Sequence, residues 1–130
     1  MAQMTKYFSR RELQCRCGCG SCAVDPRLLK LATHVRELLG APMHVNSCYR
    51  CEVHNRRVGG APHSRHKQGL AMDFCVKGVT PKTLFLKLKD WREKGRLPEL
   101  YGLGLYDWGV HIDADSGRKR LVTWDFRKKG

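Results

Sequence analysis

Three side chains in this sequence could do chemistry together: the imidazoles of His66 and His111 and the carboxylate of Asp73. Imidazole nitrogen and carboxylate oxygen are ordinary zinc ligands. Three such ligands leave the fourth tetrahedral position open to water, the arrangement of a catalytic rather than a structural site. Any one of the three alone reads as a common solvated residue. What argues for a site is their order: Ser64-x-His66, Gly69-x-Ala71-x-Asp73, then His111-x-Asp113.

Strands must present two of them. From Gly69 onward the residues alternate, with Ala71, Asp73 and Cys75 on one face and Leu70, Met72, Phe74 and Val76 on the other. Asp73 then has only small neighbours on its own face, which predicts open space above its carboxylate. In Gly109–Ala114 the same alternation puts Gly109, His111 and Asp113 on one face and Val110, Ile112 and Ala114 on the other. Gly69 supplies a tight turn between His66 and Asp73.

The remaining elements form a frame. Ser9 and Glu12 make a capping-box pattern for a short helical turn. Asp25 as N-cap, Pro26 at the first helical position, an apolar stripe (Leu28, Leu31, Ala32, Val35, Leu38, Leu39) and Gly40 predict a core helix. His34, beside that stripe, is read as a structural or surface residue. Met43–Asn46 has strand character, and Arg50 follows it in a loop. Glu52–Pro62 is polar and contains Gly59-Gly60, so a turn or short helix and then a loop are expected, with Arg56 and Arg57 solvated. Thr80-Pro81 opens a second helix buried through Leu84, Phe85, Leu88 and Trp91 and closed by Gly95. Tyr101–Tyr106, the turn Asp107-Trp108-Gly109 and Val110–Ala114 read as a hairpin, Leu121–Phe126 as a last strand and Arg127–Gly130 as a frayed tail. Two helices against a small, mainly antiparallel sheet make an α+β domain, a single unit over residues 1–130 with a cysteine-rich segment, 1–24, packed on it.

Composition narrows the partners. The chain of 130 residues has a formal net charge of +13, which favours an anionic partner such as nucleic acid, a membrane surface or bacterial cell wall. Residues 1–14 lack the apolar run of a signal peptide, and no stretch approaches the roughly 20 apolar residues of a membrane helix. Cytoplasmic synthesis is expected, with export needing outside help. Seven cysteines in a reducing compartment point to free thiols or metal ligands rather than a disulfide framework. Cys15, Cys17, Cys19 and Cys22 are closely spaced, and both Cys19/Cys22 and Cys48/Cys51 have the spacing of half a zinc knuckle. A structural metal, a redox cross-link and a thiol-rich loop all fit that pattern.

Taken together, Ser47-Cys48-Tyr49-Arg50, His54-Asn55, Val58-Gly59-Gly60-Ala61, Ser64-Arg65-His66, Gly69–Asp73 and Val110–Asp113 resemble the zinc D-alanyl-D-alanine carboxypeptidase family. That family includes murein endopeptidases, phage endolysins and vancomycin-resistance dipeptidases, and the hedgehog signalling domain shares its fold. The small form is most similar to phage-encoded members. The resemblance implies zinc on His66, Asp73 and His111, with Arg50 steadying the oxyanion. It also implies a monomer acting on peptidoglycan, at the wall after release or as a virion component. Where much of the family has an acid three positions before the last histidine, this chain has Trp108. Asp107 is then the first choice for general base, and Asp113 the second, with an alternative role in orienting an imidazole. His63 and Ser64 are candidates for supporting the site or meeting the substrate. Two other readings compete: a zinc-stabilised binding or virion module without catalysis, and a nucleic-acid-binding zinc protein. The latter has no finger spacing or aromatic stacking motif behind it.

Overall fold

The computed structural model describes residues 5–128. Residues 1–4, the start of the segment expected to lack a signal peptide, and Lys129 and Gly130 of the tail lie outside the described residues. Helix starts follow local chemistry. In α1 (Arg10–Leu13), Ser9 and Glu12 form the reciprocal capping box. In α2 (Pro26–Leu39), Asp25 accepts the Arg27 N–H, and Gly40, at φ 64°, ends the helix. Strand β1 (His44–Ser47) and the short α3 (Glu52–Arg57) come next. Strand β2 spans Ala71–Cys75, and α4 (Pro81–Glu93) is capped by Thr80. Strands β3 (Gly102–Tyr106) and β4 (Gly109–Asp113) form the expected hairpin across Asp107-Trp108, and β5 covers Val122–Asp125.

The sheet has the order β1-β2-β4-β3-β5. All neighbours are antiparallel except β3 and β5, which run parallel because the chain crosses from β4 through a 3-10 turn at Ser116–Arg118. The architecture is therefore the α+β arrangement read from the sequence, with a last strand shorter than Leu121–Phe126. On one face Val45, Met72, Phe74, Leu103, Leu105, Val110 and Ile112 join Leu28, Leu31 and Val35 of α2 and Leu84 and Leu88 of α4 in one hydrophobic cluster. Each fully buried Leu or Phe contributes roughly 1.5–3 kcal/mol against exposure. Phe8 and Leu13 join the same cluster, so α1 and the residue before its cap pack on this core.

The opposite face carries a polar row. The register aligns Ser47 with Asp73, Asp73 with His111, His111 with Gly104 and Gly104 with Trp124, one residue from each strand. A bulge between Val45 and Ser47 puts Val45 opposite Phe74 and Ser47 opposite Asp73. Period two thus gives the sheet one apolar and one chemical face.

Gly69 connects this face to the helical layer. Its φ is +71°, a Cβ there would lie 1.9 Å from the Ala23 carbonyl oxygen, and its own carbonyl accepts the Asp25 N–H at 2.9 Å. Only glycine combines that turn with that approach. Gly69→Ala is expected to destabilise the fold by more than about 1 kcal/mol, seen as a lower urea midpoint. An unchanged midpoint would show that the α2 entry can shift without penalty.

Candidate metal centre

Asp73 and His111 are cross-strand partners on β2 and β4, so the pleat alone brings their side chains together. His66 arrives differently. Residues 61–70 form successive tight turns, with Ser64 N–H bonded to Ala61 O, Lys67 N–H to Ser64 O and Gly69 N–H to His66 O. The Ser64 hydroxyl accepts the His66 N–H at 3.2 Å, a supporting role for one of the two flanking residues singled out in the sequence. His63, the other, is exposed. The result is one ligand atom from each of His66, Asp73 and His111, all within 4.8 Å of one another and all three residues buried. The predicted space above Asp73 is instead covered, leaving the residue 7% exposed, because His66 and Arg50 approach its carboxylate.

Proton positions argue that this is a metal site. His66 Nδ1 lies 2.7 Å from the Cys48 carbonyl oxygen, which can only accept, so Nδ1 carries a hydrogen and Nε2 is the nitrogen left to meet a metal. That Nε2 faces Asp73 Oδ1 at 3.0 Å. His111 Nε2 donates to Asp113 Oδ2 at 2.9 Å, which turns its Nδ1 to the same Asp73 oxygen, again at 3.0 Å. Two inner imidazole nitrogens converging on one carboxylate oxygen are held by positive charge between them, a proton in the metal-free protein or a metal ion in its place, and tying the outer imidazole nitrogen to a fixed acceptor is how proteins orient metal-bound histidines. The donor set fits zinc.

The surrounding charges agree. Burial opposes ionisation of Asp73, but hydrogen bonds from His111 and His66 outweigh it and hold the carboxyl well below its usual range. Burial likewise opposes charge on Asp113, and His111 and Arg118 overcome it. His111 is pushed up: burial disfavours its charge, yet Asp113 and Asp73 favour it more. Arg118 donates from Nε to Asp113 Oδ1 at 3.2 Å and from Nη2 to Oδ2 at 3.0 Å. Asp113 also accepts the Asp115 N–H at 3.3 Å and is fully buried. Gly102, its cross-strand partner, makes room, since a Cβ there would sit 2.0 Å from Asp113 Oδ2.

Arg50 borders the centre, with Nη2 3.7 Å from Asp73 Oδ2, Nε 3.3 Å from Ser47 Oγ and Nη1 3.4 Å from Asn55 Oδ1. Asp107 is not gathered into the cluster. It is exposed in the hairpin turn, and its Oδ2 accepts the Lys128 N–H at 3.1 Å. The turn nevertheless adjoins the site: Tyr106, which hydrogen-bonds Trp124 Nε1 at 2.9 Å, lies close enough to Asp73 and Arg50 to feel both charges. The Trp124 ring in turn packs 5.1 Å from His111. His34, assigned no role in the site, pairs with Glu99 at 2.5 Å.

Sequence reasoning gave no role to Asn55, Arg118, Tyr106 or Trp124. Asn55 is buried, donates to Ala61 O at 2.9 Å and holds the Arg50 guanidinium; its position in a polar stretch concealed this. Arg118 was one basic residue among many. Neither carries a local signal, because each reaches a partner five residues away, a spacing that matches neither the strand period nor the helix period.

These shifts predict a pH profile for the metal-free protein. Asp73 and Asp113 titrate lower folded than unfolded, so the stability they contribute is present above about pH 4 and lost as pH falls. His111 has the opposite sign, contributing fully below about pH 6.5 and losing its contribution as pH rises through its folded value. Urea midpoints of chelator-treated protein should peak between those limits and fall on both sides. A flat profile would count against the buried ion cluster.

The family model described as peptidase M15 matches residues 6–113, a span that holds the three candidate ligands, Arg50 and Asp113 and stops before Arg118 and Trp124. No curated protein matches the chain. A match over most of the sequence, on a fold that gathers two histidines and an aspartate as a zinc site would, means that the chain belongs to the peptidase M15 family of zinc-dependent peptidases.

Proposed function

We propose that this protein is a zinc peptidase that hydrolyses an amide bond in the stem peptide or cross-bridge of peptidoglycan, in the manner of a phage endolysin or cell-wall remodelling enzyme. The observation behind the reading is the pair of imidazoles whose outer N–H groups are anchored and whose inner nitrogens converge on Asp73 beside an arginine. His66, Asp73 and His111 would hold the metal. Bound there, zinc supplies Lewis-acid chemistry, polarising a carbonyl and acidifying water.

The chain's own groups do the rest. Arg50 places fixed positive charge where the carbonyl oxygen becomes an oxyanion, and Ser47 and Asn55 orient it. Asp113, occupied by His111, Arg118 and the Asp115 N–H, positions an imidazole. Asp107 is the remaining expected acid, and its place in an exposed turn beside Tyr106 leaves it accessible to solvent. We assign it the proton of the attacking water. As the C–O bond forms and the C–N bond breaks, that proton passes to the leaving amine.

Two features favour an acidic substrate. The net charge of +13 suits attraction to the anionic wall. A surface cleft lined by Glu52, Asn55, Arg56, Gly60, Pro62 and Lys67 adjoins Arg50 through Asn55 and, with Lys67 paired to Glu52 at 3.4 Å, offers Arg56 to a peptide carboxylate. Among the described residues no helix is long and apolar enough to cross a membrane. The place of action we propose is the cell wall, reached after release or as part of a virion.

Release of new amines from purified peptidoglycan, with zinc measured on the same samples, tests this. His66→Ala should lose one zinc and all amine release. Arg50→Ala should keep its zinc and lose about 10²–10³ in kcat. A parent protein that carries this zinc but releases no amine from any peptidoglycan would sink the substrate assignment. Asp107→Asn is expected to keep its zinc and lose about 10²–10⁴ in kcat, and full activity would remove Asp107 from the chemistry.

A further inference from the structure

A second cluster lies outside the peptidase site. Cys15, Cys17, Cys19 and Cys51 bring their sulfurs within 4.8 Å of one another, although Cys51 is far from the others in sequence. The Cys15–Cys17 and Cys17–Cys51 sulfurs are 3.4 and 3.7 Å apart. A tetrahedron of sulfurs at the zinc–thiolate distance of about 2.3 Å has edges of about 3.8 Å. These separations are close to that edge and well beyond a disulfide bond of about 2.05 Å.

The backbone supplies an independent argument. Three of the four sulfurs accept a main-chain N–H at 3.4 Å: Cys15 from Cys51, Cys51 from His54 and Cys19 from Ser21. Amide hydrogens directed at sulfur stabilise thiolate charge, and thiolate is the form that binds metal. The loop bearing them is fixed in place. Arg10 Nη2 donates to Gly20 O at 2.7 Å, Arg16 Nη2 donates to Val45 O at 2.8 Å and Cys15 N–H to Ser21 O at 2.9 Å. The two CxxC spacings did not predict this grouping. Cys48 lies in the core with its thiol pushed up to about 12 by burial, and Cys22, packed against the core, falls outside the set.

We propose that Cys15, Cys17, Cys19 and Cys51 bind a structural zinc ion, separate from the peptidase metal. Four thiolates without an open position are the donor set of a closed structural site. Its place in the fold gives it a purpose. Cys51 follows Arg50 directly and caps α3, whose Asn55 holds the Arg50 guanidinium. The ion would staple the N-terminal segment to the loop that carries Arg50.

Metal analysis of protein purified under reducing conditions tests this. The parent should contain two zinc ions per chain, His66→Ala one, Cys17→Ser/Cys19→Ser one, and the combined variant none. Cobalt exchange needs no variant: the parent should show an intense thiolate-to-cobalt charge-transfer band in the near ultraviolet, retained in His66→Ala. A single zinc removed by His66→Ala, with no charge-transfer band, would overturn the proposal. So would an intact mass two hydrogens light in the freshly purified protein, which would mark a cross-link in place of the metal. Because the readout is stoichiometry and spectrum, it is independent of whether peptidoglycan is the substrate.

Discussion

One oxygen, Oδ1 of Asp73, constrains the site more than any other atom. It sits 3.0 Å from an imidazole nitrogen of His66 and of His111, whose outer nitrogens are bonded to the Cys48 carbonyl and to Asp113. That convergence draws positive charge to one point, as imidazole protons or as a metal ion, in a buried, low-dielectric setting where screening is weak. Each outer anchor therefore fixes which imidazole nitrogen meets that charge. The Cys48 carbonyl fixes His66, Asp113 fixes His111, and Arg118 fixes Asp113. Asp113 would be costly to bury without that guanidinium, and Gly102 leaves the volume its carboxylate occupies.

How far the sequence reveals this depends on the range of the interaction. Caps at Ser9, Asp25 and Thr80 act within a few residues, and all three start the helices expected of them. Alternation in Ala71–Cys75 and Gly109–Asp113 is also local, so the faces of Asp73 and His111 could be read directly. Lateral position is different. No periodicity says that Ser47, Gly104 and Trp124 line up with them, since that depends on a bulge in β1 and a parallel crossover to β5. The burial of Asp73 shows the same limit, for the alternation correctly put small residues beside it but could not show that His66 and Arg50 would fill the space.

The cysteines illustrate the point from the other direction. Cys19 and Cys22 have the spacing of half a zinc knuckle, as do Cys48 and Cys51. The fold divides both pairs, because Cys48 is drawn into the core beneath His66 while Cys51, three residues on, caps a helix at the surface. Short motifs give candidate ligands, and the tertiary path of the chain decides which of them meet.

The two arginines at the centre differ in a way that bears on their roles. Arg118 meets Asp113 through two hydrogen bonds of 3.0 and 3.2 Å, a bidentate fork that leaves this face of the guanidinium committed. Arg50 is held more loosely. Its contacts to Ser47 and Asn55 are 3.3 and 3.4 Å, and Nη2 stands 3.7 Å from Asp73, too far for a hydrogen bond though close enough for attraction. A guanidinium oriented by neutral groups and bonded to no carboxylate keeps donors for an incoming oxygen. Stabilising a developing oxyanion requires that combination, because a donor already satisfied by a carboxylate gains little when the transition state forms. The role proposed for Arg50 therefore rests as much on the weakness of its contact with Asp73 as on its proximity to the metal ligands.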